Sequence, residues 1–162
     1  MCIRREWVTQ DAPSVLGHGS TGMVYKSTML GIAAAVKVAK DRSKEEDAVD
    51  SASDFLRHEA EVYRSLSWRC PSVPVLITFG NLLMSPLDET GSPFLATTVV
   101  PGRPILQMAK ARRLLDGFTA ALSRARSAAL AAFAALRELH DAGFAHNDIS
   151  NPNNVSAIDH WL

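Results

Sequence analysis

Apolar residues come in short blocks over the first hundred positions and at helical spacing afterwards, so two kinds of architecture are predicted in turn. Ser14 to Leu16 opens a strand, and Met23 to Lys26 resumes one after a Gly-rich turn. Ile32–Ala39, IAAAVKVA, reads as a buried strand carrying one charge, Lys37. In such a run a lysine either alternates toward solvent or is buried with a partner. The charged stretch from Lys40 to Ser53 has no aliphatic face and predicts a loop. Asp54 then suits an N-cap for a helix from Phe55 to Leu66. Phe55, Glu59, Val62 and Leu66 fall on one stripe of that helix, which makes Glu59 an acid on an apolar face. It is either a boundary residue reaching water or the natural partner of Lys37. Strands are expected at Val75 to Phe79, stopped by Gly80, and at Phe94 to Val100, stopped by Pro101 and Gly102. Together these elements predict an α+β fold beginning with a five-stranded antiparallel sheet and one helix.

From Pro104 the period changes. A short helix is expected near Ile105 to Leu115. A long one is expected from about Gly117 to Ala142, with Ala129, Phe133, Leu136 and His140 at helical spacing and Gly143 as its stop. The domain boundaries expected are 1–12 as an N-terminal extension, 13–103 as the sheet-bearing part and 104–162 as the helical part.

Composition narrows the class without fixing the chemistry. Apolar residues are 47% and charged residues 21% of 162, ordinary for a globular chain long enough for one domain. Lys plus Arg and Asp plus Glu are 17 each, so no bulk charge draws the protein to nucleic acid or an anionic membrane, and neither partner is expected. The start, MCIRREWVTQ, has no apolar h-region, and no run approaches a membrane span. Cys2 and Cys70 show neither metal-ligand spacing nor a disulfide framework. A reducing, cytoplasmic setting follows as the expectation.

Two motifs carry chemistry. Gly17, Gly19 and Gly22 form G-x-G-x-x-G, a turn whose backbone N–H groups can approach an anion. A dinucleotide-binding unit would follow it with a helix, whereas Met23, Val24, Tyr25 and Lys26 favour strand–turn–strand; an ordinary Gly-rich hairpin is the plain alternative. Near the end, His146, Asp148 and Asn153 form H-x-D-x-x-x-x-N. That spacing suits a loop holding one carboxylate and one amide beside a metal-bound phosphate. His146 itself suits a structural role in that loop.

In this order the motifs resemble the protein-kinase-like superfamily over about residues 13–155. GHGSTGMV resembles its Gly-rich loop, AAVKV the strand of its phosphate-binding lysine, HEAEVYRSL the small-lobe helix, VVPGRPI the hinge, and LHDAGFAHNDISNPNNV the catalytic loop. The resemblance implies ATP and Mg²⁺ as cofactors and a protein Ser/Thr hydroxyl as substrate. Gly17, Gly19, Gly22, Val24 and Ala35 would line the nucleotide, and Lys37 would hold its phosphates with Glu59 as ion-pair partner. Thr98 and Val100 would offer backbone groups to adenine, with Thr97 near the gatekeeper position. Asp148 would orient or accept the hydroxyl proton, and Asn153 would ligate magnesium.

The same resemblance marks departures. Asn147 stands where Arg is common, and Ser150 where protein kinases usually carry Lys, which is closer to RIO-type, small-molecule-kinase and divergent fungal kinase-like loops. The family places a further metal-binding Asp beyond a hairpin after the loop Asn. Here Asp159 follows Asn153 by 159 − 153 = 6 positions, too few for two strands and a turn. Either Asp159 is a compressed version of that ligand or the ligand is missing, and the domain is cut short after its catalytic loop. Two further readings therefore stand beside a protein kinase: a pseudokinase or nucleotide-binding interaction module, and a small-molecule kinase of aminoglycoside or choline type. Phe133 and Leu136 are expected to lose part of their cover, which predicts association.

Overall fold

The computed structural model describes residues 2–4, 14–19, 22–39, 46–83, 91–104, 118–148, 154 and 156–157. The chain forms two compact units. One comprises Met1–Ser67 with Pro74–Val99, the other Trp68–Val73 with Val100–Leu162.

The first unit holds strands β1 (Cys2–Arg4), β2 (Ser14–His18), β3 (Gly22–Met29) and β4 (Ile32–Ala39), helix α1 (Glu46–Leu66), and strands β5 (Leu76–Leu83) and β6 (Ser92–Thr98). The sheet order is β1-β5-β6-β4-β3-β2. The five antiparallel strands expected are all present, and β1 adds a sixth, pairing parallel with β5 at Asn81, Leu82 and Leu83. Residues from the expected N-terminal extension therefore belong to the sheet.

Local chemistry explains the ladder. β3 and β4 pair without interruption from Gly22↔Ala39 to Met29↔Ile32, joined by the two-residue turn Leu30-Gly31. Both turn residues have positive φ, 53° and 77°, the primed-turn geometry whose twist matches the flanking strands. Period-2 alternation along β4 sends Ala34, Val36 and Val38 to one face, where Met29, Leu82, Phe94 and Ala96 complete a buried cluster. The opposite face carries Lys37 and Ala39. Leu56 and Ala60 of α1 pack there against Leu95, with Ala39, Tyr63, Leu76 and Phe79 around them.

Several boundaries differ from the sequence reading. α1 starts at Glu46, inside the stretch expected to be a loop. The strand expected to stop at Gly80 runs on to Leu83, because Gly80 pairs with Phe94 and is buried in the sheet. β6 covers Ser92–Thr98 rather than ending at Val100.

The second unit contains a two-stranded ladder and a long helix. β7 (Arg103–Pro104) pairs antiparallel with β8 (Ser156–Ala157), and α2 spans Phe118–Asp141. α2 ends as its sequence predicts. Gly143 has φ 87°, its N–H donates to the His140 carbonyl at 2.9 Å, and the Phe144 N–H donates to the Leu139 carbonyl at 3.1 Å. This bond pair is a Schellman cap. Phe133 is 68% exposed, with Leu122 and Leu130 also open, and Leu136 is half-buried. The short helix expected near Ile105 to Leu115 lies outside the described residues.

Candidate functional site

In the first unit the sheet places a cation beside a glycine turn. β2 and β3 pair antiparallel with a register shift between Val15 and Gly17, so Gly17 faces Val24 and His18 faces Met23. The Gly19 N–H donates to the Gly22 carbonyl at 2.9 Å, closing the turn. The three glycines are not equivalent. A Cβ on Gly22 would overlap the Val38 carbonyl oxygen, whereas a Cβ on Gly17 or Gly19 would meet nothing within 4 Å. Gly22 is thus required by the packing of β3 on β4, while Gly17 and Gly19 border open space.

Val24 pairs with Lys37, and Lys37 pairs with Leu95. Alternation turns Lys37 toward α1, where Glu59 lies on the same stripe as Leu56, Ala60 and Tyr63. Lys37 Nζ donates to Glu59 Oε2 at 2.7 Å, with side-chain exposures of 22% and 33%. A charge-assisted bond of that length holds the ammonium in place while leaving it reachable from solvent. One turn further along α1, the Tyr63 hydroxyl is pushed up to about 12, first by burial and then by the Glu59 charge. Thr97 is 8% exposed. Thr98 is bonded twice to the start of β5: its N–H donates to the Val75 carbonyl at 2.9 Å, and its Oγ1 accepts from the Val75 N–H at 3.0 Å.

In the second unit the cap of α2 delivers the chain into the loop of His146 and Asp148. Asn147 has φ 56°, a left-handed conformation that Asn tolerates better than most side chains. It centres a tight turn in which the Asp148 N–H donates to the His146 carbonyl at 2.8 Å. The same N–H lies 3.3 Å from His146 Nδ1, which acts as acceptor, so His146 braces the loop. Asp148 is exposed. Its partner is Asn154: Nδ2 donates to Asp148 Oδ2 at 2.7 Å and to the Asp148 carbonyl at 3.0 Å.

Spacing alone had pointed to Asn153, which lies outside the described residues, as do Asp159 and Ser150. Asn154 was missed, although the Asn153-Asn154 doublet was the available signal. Among the described residues no three His, Cys, Asp or Glu side chains gather as a metal cluster. The oxygens at hand are the Asp148 carboxylate and the Asn154 amide. Such hard donors suit a magnesium ion that keeps waters and shares phosphate oxygens, rather than one caged by protein.

Comparison with known proteins agrees with this architecture. No protein-family model matches the chain. It is 31% identical over 151 residues to the DNA damage-responsive serine/threonine-protein kinase RqkA of Deinococcus radiodurans, covering 92% of this chain but 20% of that protein. Among solved structures it resembles PpkA-294 in its apo form, with TM-score 0.66 and 18% identity over 92% of this chain and 54% of that one. It also resembles the kinase domain of Mycobacterium tuberculosis PknI, with TM-score 0.54 and 24% identity over 94% and 58%. The chain has a protein-kinase-like fold. It spans about a fifth of the curated relative and somewhat over half of each of these structures.

Proposed function

We propose that the chain binds ATP with magnesium and forms part of a phosphotransferase that acts on a protein Ser/Thr hydroxyl. The observation that carries the reading is the 2.7 Å Lys37–Glu59 pair on a strand laddered to the glycine turn. Gly17 and Gly19 border open space into which phosphate oxygens can enter, Gly22 lets β3 pack closely on β4, and Lys37 supplies the fixed cation. Val24 and Ala35 contribute apolar cover for the base, and Thr98 and Val100 its backbone partners. Magnesium, when bound, neutralises charge on the phosphate oxygens. The transfer forms a bond from the substrate oxygen to phosphorus and breaks the bond to the bridging oxygen of ADP. Asp148 orients the attacking hydroxyl and takes its proton. Asn154 holds Asp148 through its amide N–H, and Asn153 would ligate the magnesium ion. RqkA is named a serine/threonine-protein kinase, which supports this substrate class. No helix among the described residues is long and apolar enough to cross a membrane. The buried free thiol of Cys70 accords with a cytoplasmic setting.

A second reading, nucleotide binding without transfer, draws on the Asp148 carboxylate already being engaged by Asn154 at 2.7 Å. ATP affinity with and without magnesium, followed by transfer to a protein acceptor, separates the two. Magnesium-dependent binding with turnover supports the enzyme. Magnesium-independent binding without turnover selects the binding module. Lys37→Met is expected to weaken binding about ten-fold or more, the loss of a charge-assisted contact; unchanged binding removes Lys37 from the phosphate site.

A further inference from the structure

Within the first unit, the β5–β6 ladder ends in an irregular way beside the candidate base site. Its register pairs Leu76 with Thr97, so one step outward Val75 stands opposite Thr98. A regular antiparallel pair of the hydrogen-bonded kind exchanges two bonds, each N–H donating to the carbonyl across from it. The first of the two is made: the Thr98 N–H donates to the Val75 carbonyl at 2.9 Å. The second is made to a different atom. The Val75 N–H donates at 3.0 Å to Oγ1, the side-chain hydroxyl of Thr98, where a regular pair would use the Thr98 carbonyl. Pro74, just before Val75, has no N–H and adds no further donor there. The residues on either side of Thr98 are held separately. Thr97 is 8% exposed, and the Val99 N–H donates to the Ala33 carbonyl at 3.4 Å.

The hydroxyl thus does the work of a carbonyl and spares the real one from the ladder. We infer that Thr98 Oγ1 sets the base preference of the candidate site: by taking the Val75 N–H it releases the Thr98 carbonyl to accept from an amino group on the base. The hydroxyl is a positioning group and acts through that carbonyl. Only Ser and Thr carry an acceptor at this reach, one bond beyond Cβ; Val has the shape of Thr without it. A carbonyl accepts and never donates, so the released atom favours a purine with an amino group at that position over one with a hydrogen there. In a chain lacking the hydroxyl, the Val75 N–H would face the Thr98 carbonyl and draw it into the ladder. The preference for a base rests on the proposed function; the exchange of one acceptor for the other does not.

The test compares Thr98→Val and Thr98→Ser with the wild type, each in the full chain. Scalar coupling across the hydrogen bond, between the Val75 nitrogen and the carbonyl carbon at position 98, reads the ladder directly by NMR. It should be absent in the wild type and in Thr98→Ser and appear in Thr98→Val. Affinity is then measured with magnesium for ATP and for purine riboside triphosphate, which carries hydrogen where ATP carries its 6-amino group. The wild type and Thr98→Ser should prefer ATP about five-fold or more, the factor equivalent to one neutral hydrogen bond. Thr98→Val should lose most of that preference through weaker ATP binding, with the analogue bound as before. An unchanged preference in Thr98→Val would overturn the inference. So would an equal loss for both nucleotides, which would give the hydroxyl a structural role only, or a coupling to the carbonyl already present in the wild type. Should Thr98→Val fail to fold, Thr98→Ala removes the same hydroxyl and carries both measurements. If the wild-type chain binds neither nucleotide, the proposed function falls and the base preference with it, while the coupling still decides which atom of Thr98 holds Val75.

Discussion

The three glycines of the turn are chemically alike in sequence but should separate cleanly on substitution. Gly22→Ala puts a methyl less than 3.0 Å from the Val38 carbonyl oxygen, 3.1 Å from its carbon and 3.5 Å from Lys37 Cγ. The first two neighbours are backbone atoms in an uninterrupted ladder, so they cannot swing away as a side chain would. Relief requires β3 and β4 to part locally, an overpacking cost of about 1–3 kcal/mol. For a chain of 162 residues, at roughly 2–4 °C per kcal/mol, the melting temperature should drop by about 2–12 °C. Gly17→Ala and Gly19→Ala meet nothing within 4 Å, and neither position has the positive φ that penalises alanine. They should keep their melting temperature, or gain up to about 1 kcal/mol from a less flexible unfolded chain. Their effect should appear in ATP affinity, about ten-fold weaker where a methyl blocks an amide–phosphate contact. Thermal unfolding and nucleotide titration of the three variants make the assay. Equal destabilisation of all three, or an unchanged melting temperature for Gly22→Ala, would refute the division into one packing glycine and two ligand-facing ones.

Further outcomes follow from other features. Tyr63 ionises at about 12 folded and near 10 unfolded, so above pH 10 the unfolded state sheds its proton first. Stability should be unaffected below pH 10 and fall by roughly 2–3 kcal/mol as the pH rises to about 12, and Tyr63→Phe should lose this component in denaturant titrations. Leu30 is 75% exposed at φ 53° in a two-residue turn, so Leu30→Asn should raise stability by about 0.5–1 kcal/mol in urea unfolding. Asn153→Ala should reduce magnesium-dependent ATP affinity more than Asn154→Ala does; the reverse order would move the metal role to Asn154.

The Lys37–Glu59 pair was legible because two periods converge on it. Alternation in IAAAVKVA turns Lys37 opposite to Val36 and Val38, and the helical stripe through Phe55, Val62 and Leu66 includes Glu59. The stop of α2 was equally plain, since Gly143 can take the positive φ that a Schellman cap needs. The start of α1 was not, because its first turns show no apolar periodicity to read. Nor was β1: Cys-Ile-Arg is too short to express a period, and its partner lies far along the chain at Asn81–Leu83. Gly80 looked like punctuation, yet its place between β6 neighbours overrides its weak strand preference. That Asn154 bonds the Asp148 carboxylate is a contact that a fixed residue count does not specify.

The sheet's outer margin is unevenly guarded. β1 covers β5 only at Asn81, Leu82 and Leu83, and among the described residues no strand lies outside Leu76–Gly80. An uncovered row of amides and carbonyls is a template for another extended chain. Among the described residues, Cys2–Arg4 thus act as a selvedge, finishing one end of the border along β5. They occupy a place that a foreign strand would compete for, and their loss would change the neighbours the protein can acquire before it changed anything in its core.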